Sequence, residues 1–147
     1  MLNKLYIRIS FIFFFVYCFS GTSLSAQEYL VKSFGAKQGL ASPEIYTLFQ
    51  DADGIIWLGT KFGLSRFDGV HFTNFNGSDS LRFGKVYAIA QDADATIWVG
   101  AENGLFYLNE GFFQHVNFDK QFPDHWIYSL NTTNGHALWV GTSSGPV

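Results

Sequence analysis

An internal repeat of 41 residues is the feature that most limits what this chain can fold into. Laying the sequence on itself at that offset aligns three tryptophans, and with them the glycines that follow two residues later: Trp57, Trp98 and Trp139, with Gly59, Gly100 and Gly141. The register also holds elsewhere, because Tyr46, Tyr87 and Tyr128 coincide. A register that is kept over a whole unit indicates a repeated structural element.

Each repeat unit divides into four short strands separated by turns. The strands predicted for the best-defined unit are Val86–Gln91, Ile97–Ala101, Leu105–Leu108 and Phe112–Phe118. Those predicted for the preceding unit are Ile45–Gln50, Ile55–Thr60, Leu64–Phe67 and Val70–Phe75. No segment after residue 26 shows sustained helical periodicity. We therefore predict an all-β chain, a partial β-propeller of about three four-stranded blades whose ring is not closed, after an N-terminal signal-peptide helix.

The repeated residues are predicted to serve the packing of one blade on the next. Bulky rings fill the gap between twisted sheets, so the three tryptophans are interpreted as inter-blade packing. The glycines two residues later leave room for a neighbouring backbone or a turn. The repeated tyrosines fall on the predicted innermost strand, where packing or channel lining is the first expectation and ligand contact the second.

Both ends of the repeat pattern are incomplete. Residues 29–34 align with the fourth strand of the later units, which predicts an orphan outer strand of the kind that closes a propeller ring. The third unit is expected to stop at Val147 after its second strand, because Pro146 stands where a third strand would begin and would remove a ladder donor. The expected division is 27–44 for the outer strand and lead-in loop, 45–85 and 86–126 for two blade repeats, and 127–147 for an incomplete third. We expect the missing blades to belong to a longer protein.

The first 26 residues have the pattern of a cleavable export signal. Lys4 and Arg8 precede an apolar run from Ile9 to Phe19, and small residues lead to a predicted cut after Ala26. The apolar run is shorter than the ~20 residues that span a bilayer. An uncleaved membrane anchor is the alternative interpretation. We predict a periplasmic protein that meets the membrane only through this signal. Its one cysteine leaves with the signal, so no disulfide or thiolate site is expected.

The charge balance argues against a nucleic-acid partner. The chain has nine Lys and Arg against twelve Asp and Glu, and Lys4 and Arg8 lie in the export signal. The remaining chain is therefore acidic and carries no basic footprint for nucleic acid or anionic lipid.

The turn and strand motifs resemble the two-component regulator propeller repeat. The resemblance is carried by the segments 50–60 and 63–68, by the lead-in 39–42, and by weaker copies at 91–105 and 138–142. It implies the periplasmic sensor half of bacterial hybrid two-component regulators, in which two propellers precede a further β-domain, a membrane span, a histidine kinase and a DNA-binding output. Many such relatives sense glycan fragments. The chain shows none of the kinase, receiver or DNA-binding parts, so the resemblance assigns it no enzyme activity.

No catalytic, cofactor or metal site is predicted from the side-chain inventory. The Asp-rich segments 51–54 and 92–95 could suit calcium, but the position where an EF-hand loop requires glutamate is Phe62. Both segments lie between strands, where they favour tight hairpins. The histidines at 71, 115, 125 and 136 occupy unrelated places in the repeat and show no metal-ligand spacing.

Ligand binding is predicted where residues depart from the repeat in the loops at one face of the propeller. Asp124, His125 and Trp126 bring a carboxylate, an imidazole and an indole together, a mixture that suits a sugar. The neighbouring loops complete the candidate set with Lys61, Phe62, Lys85, Glu102 and Asn103. An alternative role for Trp126 is to fill a gap between blades.

Three functions remain open at this point. The first is a ligand-sensing module that binds an oligosaccharide or another small ligand and continues into further blades and sensor domains. The second is the first part of a secreted propeller enzyme, a lyase or hydrolase. The third is a propeller scaffold that binds another protein.

Overall fold

A computed structural model describes residues 31–75, 82–117, 126–133 and 137–146. Ser33–Val147 forms one compact unit that contains the described strands, and the preceding segment Met1–Lys32 forms a separate unit. The predicted signal-peptide helix lies outside the described residues. Among the residues that are described, none belongs to a helix long and apolar enough to cross a membrane.

The first two repeats each fold into a four-stranded antiparallel sheet whose strands follow one another in chain order. Blade 1 consists of β1 (Ile45–Gln50), β2 (Ile56–Thr60), β3 (Gly63–Phe67) and β4 (Phe72–Phe75). Blade 2 consists of β5 (Val86–Gln91), β6 (Ile97–Ala101), β7 (Gly104–Asn109) and β8 (Phe112–His115). The predicted strands agree with these to within a residue or two, except that β8 ends before the predicted limit at Phe118, a residue outside the described ranges.

The third repeat forms a three-stranded sheet, blade 3, in which the last strand is very short. Its strands are β9 (Ile127–Thr132), β10 (Leu138–Thr142) and β11 (Gly145–Pro146). The expectation that this unit would stop after its second strand is therefore wrong, because Pro146 pairs with Gly141 and Gly145 with Thr142. Gly145 and Thr142 flank a two-residue turn and form the hydrogen-bonded pair, so the proline occupies the next position, whose N–H would point away from β10. The missing donor therefore costs no bond between these two strands.

The predicted orphan outer strand is not present in its described part. Residues 31–35 lie in no strand, and residues 29 and 30 lie outside the described ranges. Blade 1 has its own outer strand, β4, and the last blade of a closed ring, which the predicted strand would complete, is not among the sheets described. Phe34 instead packs on the face of blade 1, with its ring 4.9 Å from Phe67 and 5.8 Å from Phe72, and a 3-10 turn at Ala36–Gln38 follows.

The sheets pack one against the next through their first strands, so that β5 lies beside β1 and β9 beside β5. A glycine near the end of the second strand makes each approach close. A Cβ added to Gly59 would lie 2.7 Å from the carbonyl oxygen of Val86, and one added to Gly100 would lie 2.6 Å from Cγ2 of Ile127. The two positions are occupied by glycine because any side chain there would collide with the neighbouring blade.

The three repeated tryptophans occupy equivalent positions but differ in how fully they are covered. Trp57 is 3% exposed in the core between blades 1 and 2, where its ring lies 6.0 Å from Phe75 and 6.1 Å from Phe113. Trp98 is half-buried against the cluster formed by Leu105, Ile127 and Val140. Trp139 is 60% exposed on the outer face of blade 3, where no further sheet is described. The prediction of an all-β chain with successive blades and an unclosed ring is confirmed.

Candidate functional site

The Asp-rich segments form hairpin turns between the first and second strands of blades 1 and 2. Asp51 Oδ1 accepts hydrogen bonds from the backbone N–H groups of Asp53 and Ile55, at 3.0 and 2.9 Å. Asp51 Oδ2 accepts the indole N–H of Trp57 at 2.7 Å. Both oxygens of this carboxylate are thus occupied within the hairpin, which leaves the turn a structural role.

Asp92 repeats the same arrangement in blade 2. It accepts from the N–H groups of Asp94 and Thr96 and, at 2.7 Å, from the indole of Trp98. Burial raises the pKa of Asp92, but the bonds from Trp98, Thr96 and Asp94 outweigh burial and hold its pKa below the usual aspartate value. Within the described ranges, no group of three or more His, Cys, Asp or Glu side chains could hold a metal ion.

Four aromatic residues near the starts of β1, β5 and β9 form a continuous arc, here called the aromatic arc: Tyr46, Tyr87, Tyr128 and Trp126. The ring of Tyr87 lies 5.5 Å from Tyr46 and 5.1 Å from Tyr128. Trp126 stacks on Tyr87 at 6.5 Å and meets Tyr128 edge-on at 6.1 Å. Tyr46, Tyr128 and Trp126 each remain more than two-fifths exposed (44%, 46% and 42%), so the arc is partly open to solvent.

A repeated β-bulge places the three tyrosines in this arc. In β1 the ladder passes from Ile45 to Thr47 and skips Tyr46. The ladders of the other two first strands skip Tyr87 and Tyr128 in the same way. A bulged residue is released from the strict alternation of the strand, so its side chain can be directed differently from those of its neighbours.

Two ion pairs flank the arc, one in each of blades 1 and 2. Lys85 Nζ lies 3.3 Å from Glu102 Oε1, and Lys61 Nζ lies 2.9 Å from Glu44 Oε1. The ammonium of Lys85 also lies 5.9 Å from the centre of the Trp126 ring, a cation–π distance. The hydrogen bond and negative charge of Glu102 raise the pKa of Lys85, so this side chain stays protonated. Burial raises the pKa of Tyr87, so its hydroxyl stays neutral.

The structure brings some of the predicted site residues together and separates others. Lys85, Glu102 and Trp126 form one contiguous group beside the arc. Lys61 pairs with Glu44 and lies 5.9 Å from the exposed ring of Phe62. Asp124 and His125 lie outside the described residues.

Asn103 is used to hold loops together. Its side-chain amide donates to the Arg82 carbonyl at 2.9 Å, and its own carbonyl lies 3.1 Å from His115 Nε2. Glu44 was missed by the sequence reasoning, and the tyrosines were given a secondary place in it. The signal for Glu44 was available, because Glu44 and Lys61 occupy the repeat positions of Lys85 and Glu102 with the charges exchanged.

Comparison with known proteins identifies the repeat. Residues 39–62, which run from the lead-in loop through β1 and β2 to the following turn, match the family model described as two component regulator propeller. These residues thus resemble a two-component regulator propeller repeat. That repeat includes the Asp51–Trp57 hairpin and Tyr46 of the arc.

Two known proteins are similar to parts of this chain. A histidine kinase P4 from Formosa agariphila is 37% identical over 59 residues, which cover 39% of this chain and 4% of that protein. The solved extracellular domain of a hybrid two component system from B. thetaiotaomicron aligns with a TM-score of 0.55 and 24% identity, over 67% of this chain and 13% of that chain. The chain thus spans a small part of the length of either relative, and the structural likeness supports the propeller fold.

Proposed function

We propose that this chain is part of an exported sensor and that its propeller binds an oligosaccharide at the aromatic arc. The observation that carries the proposal is the aromatic arc itself, whose rings are partly exposed and are flanked by the pairs Lys85–Glu102 and Lys61–Glu44. Trp126 stays 42% exposed even though it stacks on Tyr87 and meets Tyr128 edge-on, so a ligand could reach it.

The chemistry of the arc suits a sugar chain. The C–H face of a pyranose ring can lie on an indole or phenol ring, while its hydroxyl groups exchange hydrogen bonds with polar neighbours. Successive rings of the arc are 5.1 to 6.5 Å apart. Because Tyr87 contacts all three of the other rings, an oligosaccharide lying on this group could contact several rings at once.

The sensor part of the proposal is supported by the kinds of protein in which similar sequences and structures are found. The matching relative is a histidine kinase, and the similar solved structure is an extracellular domain of a hybrid two component system. We propose that this chain belongs to the periplasmic sensor half of such a regulator, with the kinase and output parts lying outside these residues. Export by the N-terminal segment and completion of the ring by further blades belong to the same proposal.

The test compares two tryptophans in the protein expressed from its native gene, so that any sequence after residue 147 is retained. Trp126→Ala removes an exposed ring of the arc, whereas Trp98→Ala removes a half-buried packing ring. We expect Trp126→Ala to weaken binding of neutral oligosaccharides by about two- to tenfold, since an aromatic contact contributes about 0.5–1.5 kcal/mol. Binding is measured by isothermal titration against a panel of short neutral oligosaccharides, with circular dichroism to confirm folding.

Two results would contradict the proposal. The first is a folded Trp126→Ala variant that binds every responding oligosaccharide as well as the wild type does. The second is a wild-type protein that binds no member of the panel.

A further inference from the structure

The ion pair between Lys85 and Glu102 is held in place more firmly than a single surface contact. Glu102 Oε1 accepts from Lys85 Nζ, and Glu102 Oε2 accepts from the backbone N–H of Lys85, both at 3.3 Å. The backbone N–H of Glu102 donates to the Lys85 carbonyl at 2.8 Å. Gly84 lets Glu102 approach, because a Cβ on Gly84 would lie 2.9 Å from Glu102 Cβ. The carboxylate therefore stays beside the ammonium that faces Trp126.

Blades 1 and 2 each have an ion pair at the same two repeat positions, but the acidic and the basic residue are exchanged between them. The residue before the first strand is Glu44 in blade 1 and Lys85 in blade 2, and the residue after the second strand is Lys61 and Glu102 respectively. In blade 3 these positions hold the uncharged residues Trp126 and Ser143. Each described blade thus contributes no net charge from these positions to the border of the aromatic arc.

We propose that Glu102 is a specificity-determining residue, which neutralises Lys85 beside Trp126 and so restricts the aromatic arc to uncharged oligosaccharides. This inference rests on the proposed function, since it concerns the ligand of the same arc. A carboxylate or sulfate on a sugar would need a free cation to offset its loss of water, and Lys85 is already paired. Glu102 would also repel that group directly. An uncharged sugar avoids both costs and can use the pair as a donor and an acceptor.

The test is the variant Glu102→Gln, which keeps the shape of the side chain and removes its charge. Binding is measured by titration with two probes of equal length, a neutral oligosaccharide and its uronic-acid counterpart. We expect the wild type to prefer the neutral probe. In Glu102→Gln, the uronic-acid probe should gain about two- to fivefold in affinity, the size of one exposed ion pair, and the gain should shrink at high salt.

Two control variants separate a local effect from a general one. Glu110→Gln makes the same charge change at an exposed turn between β7 and β8, away from the arc, and should leave the preference unchanged. The double variant Lys85→Met with Glu102→Gln should lose the gain, because the freed ammonium is its cause. Circular dichroism of each variant checks that the fold is intact.

Three outcomes would overturn the inference. One is a wild type that binds the uronic-acid probe as tightly as the neutral probe, and another is an equal gain in Glu102→Gln and Glu110→Gln. The third is a wild type that binds neither probe, a result that would also remove the proposed function. The first two outcomes leave oligosaccharide binding at the arc in place.

Discussion

At the scale of single residues, blades 1 and 2 share one arrangement, in which an aspartate carboxylate joins a hairpin turn to the tryptophan of the next strand. Asp51 and Asp92 each accept two backbone N–H groups and one indole N–H. The same aspartate therefore closes the turn and fixes the orientation of the ring that packs between blades. In blade 3 the equivalent position is Thr133, and the equivalent ring, Trp139, lies on an open face.

We expect part of the stability of blade 2 to depend on pH through Asp92. The pKa of Asp92 in the folded protein lies below its usual value, so its contribution is fully present above the unfolded pKa of about 3.9. That contribution is lost as the pH falls through the folded pKa, because the protonated carboxyl accepts these hydrogen bonds less well. Urea unfolding of Asp92→Asn at neutral pH should show a loss of about 1–3 kcal/mol, since the new amide would face the indole N–H with a donor.

The control for this prediction is Asp53→Asn, which removes an exposed carboxylate at the neighbouring turn. Asp53→Asn should unfold at nearly the same urea concentration as the wild type. In Asp92→Asn, the fall in stability between neutral and strongly acidic pH should be smaller than in the wild type. Parallel pH curves for the wild type and Asp92→Asn would contradict the assignment.

At the scale of strands and sheets, the period of 41 residues was sufficient to place the strands. Turn residues and alternating apolar residues recur in each unit, so the limits of β1, β5 and β6 agree with the prediction to the residue. The bulges at Tyr46, Tyr87 and Tyr128 were not predicted. A bulge depends on how two strands pair, and a pattern along one strand does not record it.

The candidate site was only partly predictable for a related reason. Trp126 was chosen because it departs from the repeat, and Lys85 because it lies in a neighbouring loop. The ammonium of Lys85 does lie 5.9 Å from the centre of the Trp126 ring. The tyrosines conform to the repeat, so the same reasoning assigned them first to packing or channel lining. The described part of the segment 29–34 is not in a strand. An alignment of side chains predicts a strand there but does not supply the neighbouring strand that a ladder needs.

The close approach of β2 to β5 makes Gly59 the most sensitive glycine of the first interface. We expect Gly59→Ala to destabilise the fold by about 1–3 kcal/mol, because the new methyl group would lie 2.7 Å from the backbone oxygen of Val86. Gly35→Ala is the matched control, since its Cβ would meet only Gln38 Oε1 at 3.7 Å. The measurement is the midpoint of urea unfolding, and equal midpoints for the two variants would contradict this account of the interface.

At the scale of the whole molecule, blade 1 packs on blade 2 in the same way as blade 2 packs on blade 3. The uncovered face of blade 1 and the uncovered face of blade 3 correspond to the two sides of that repeated interface. Val86 and Ile127 are buried against Gly59 and Gly100, whereas Ile45, at the same repeat position in blade 1, is 44% exposed. At the other end, Trp139 is exposed beside Gly141. The free face of blade 1 should therefore fit the free face of blade 3 in the way that β5 fits β2.

We expect the segment from Gln27 to Val147, expressed without further sequence, to associate head to tail. Such an interface joins two different faces, so association continues until a ring closes or an open assembly forms. Ile45→Ser and Trp139→Ser should each suppress association while leaving the circular dichroism spectrum unchanged, because both side chains are exposed in the separate chain. Trp57→Ser should instead unfold the chain, since Trp57 is 3% exposed and losing such a ring costs about 3–5 kcal/mol.

Mixing the two suppressed variants provides the decisive measurement. The Ile45→Ser chain keeps an intact blade 3 face, and the Trp139→Ser chain keeps an intact blade 1 face. Head-to-tail docking therefore predicts that the mixture forms a 1:1 complex by sedimentation velocity, although neither variant associates alone. Unspecific hydrophobic aggregation predicts no such pairing, because either variant would then stick to itself as readily as to the other. A wild-type segment that stays monomeric and unfolds cooperatively would show that these faces do not need a neighbouring blade, contrary to the burial of their counterparts Val86 and Trp57 inside the stack.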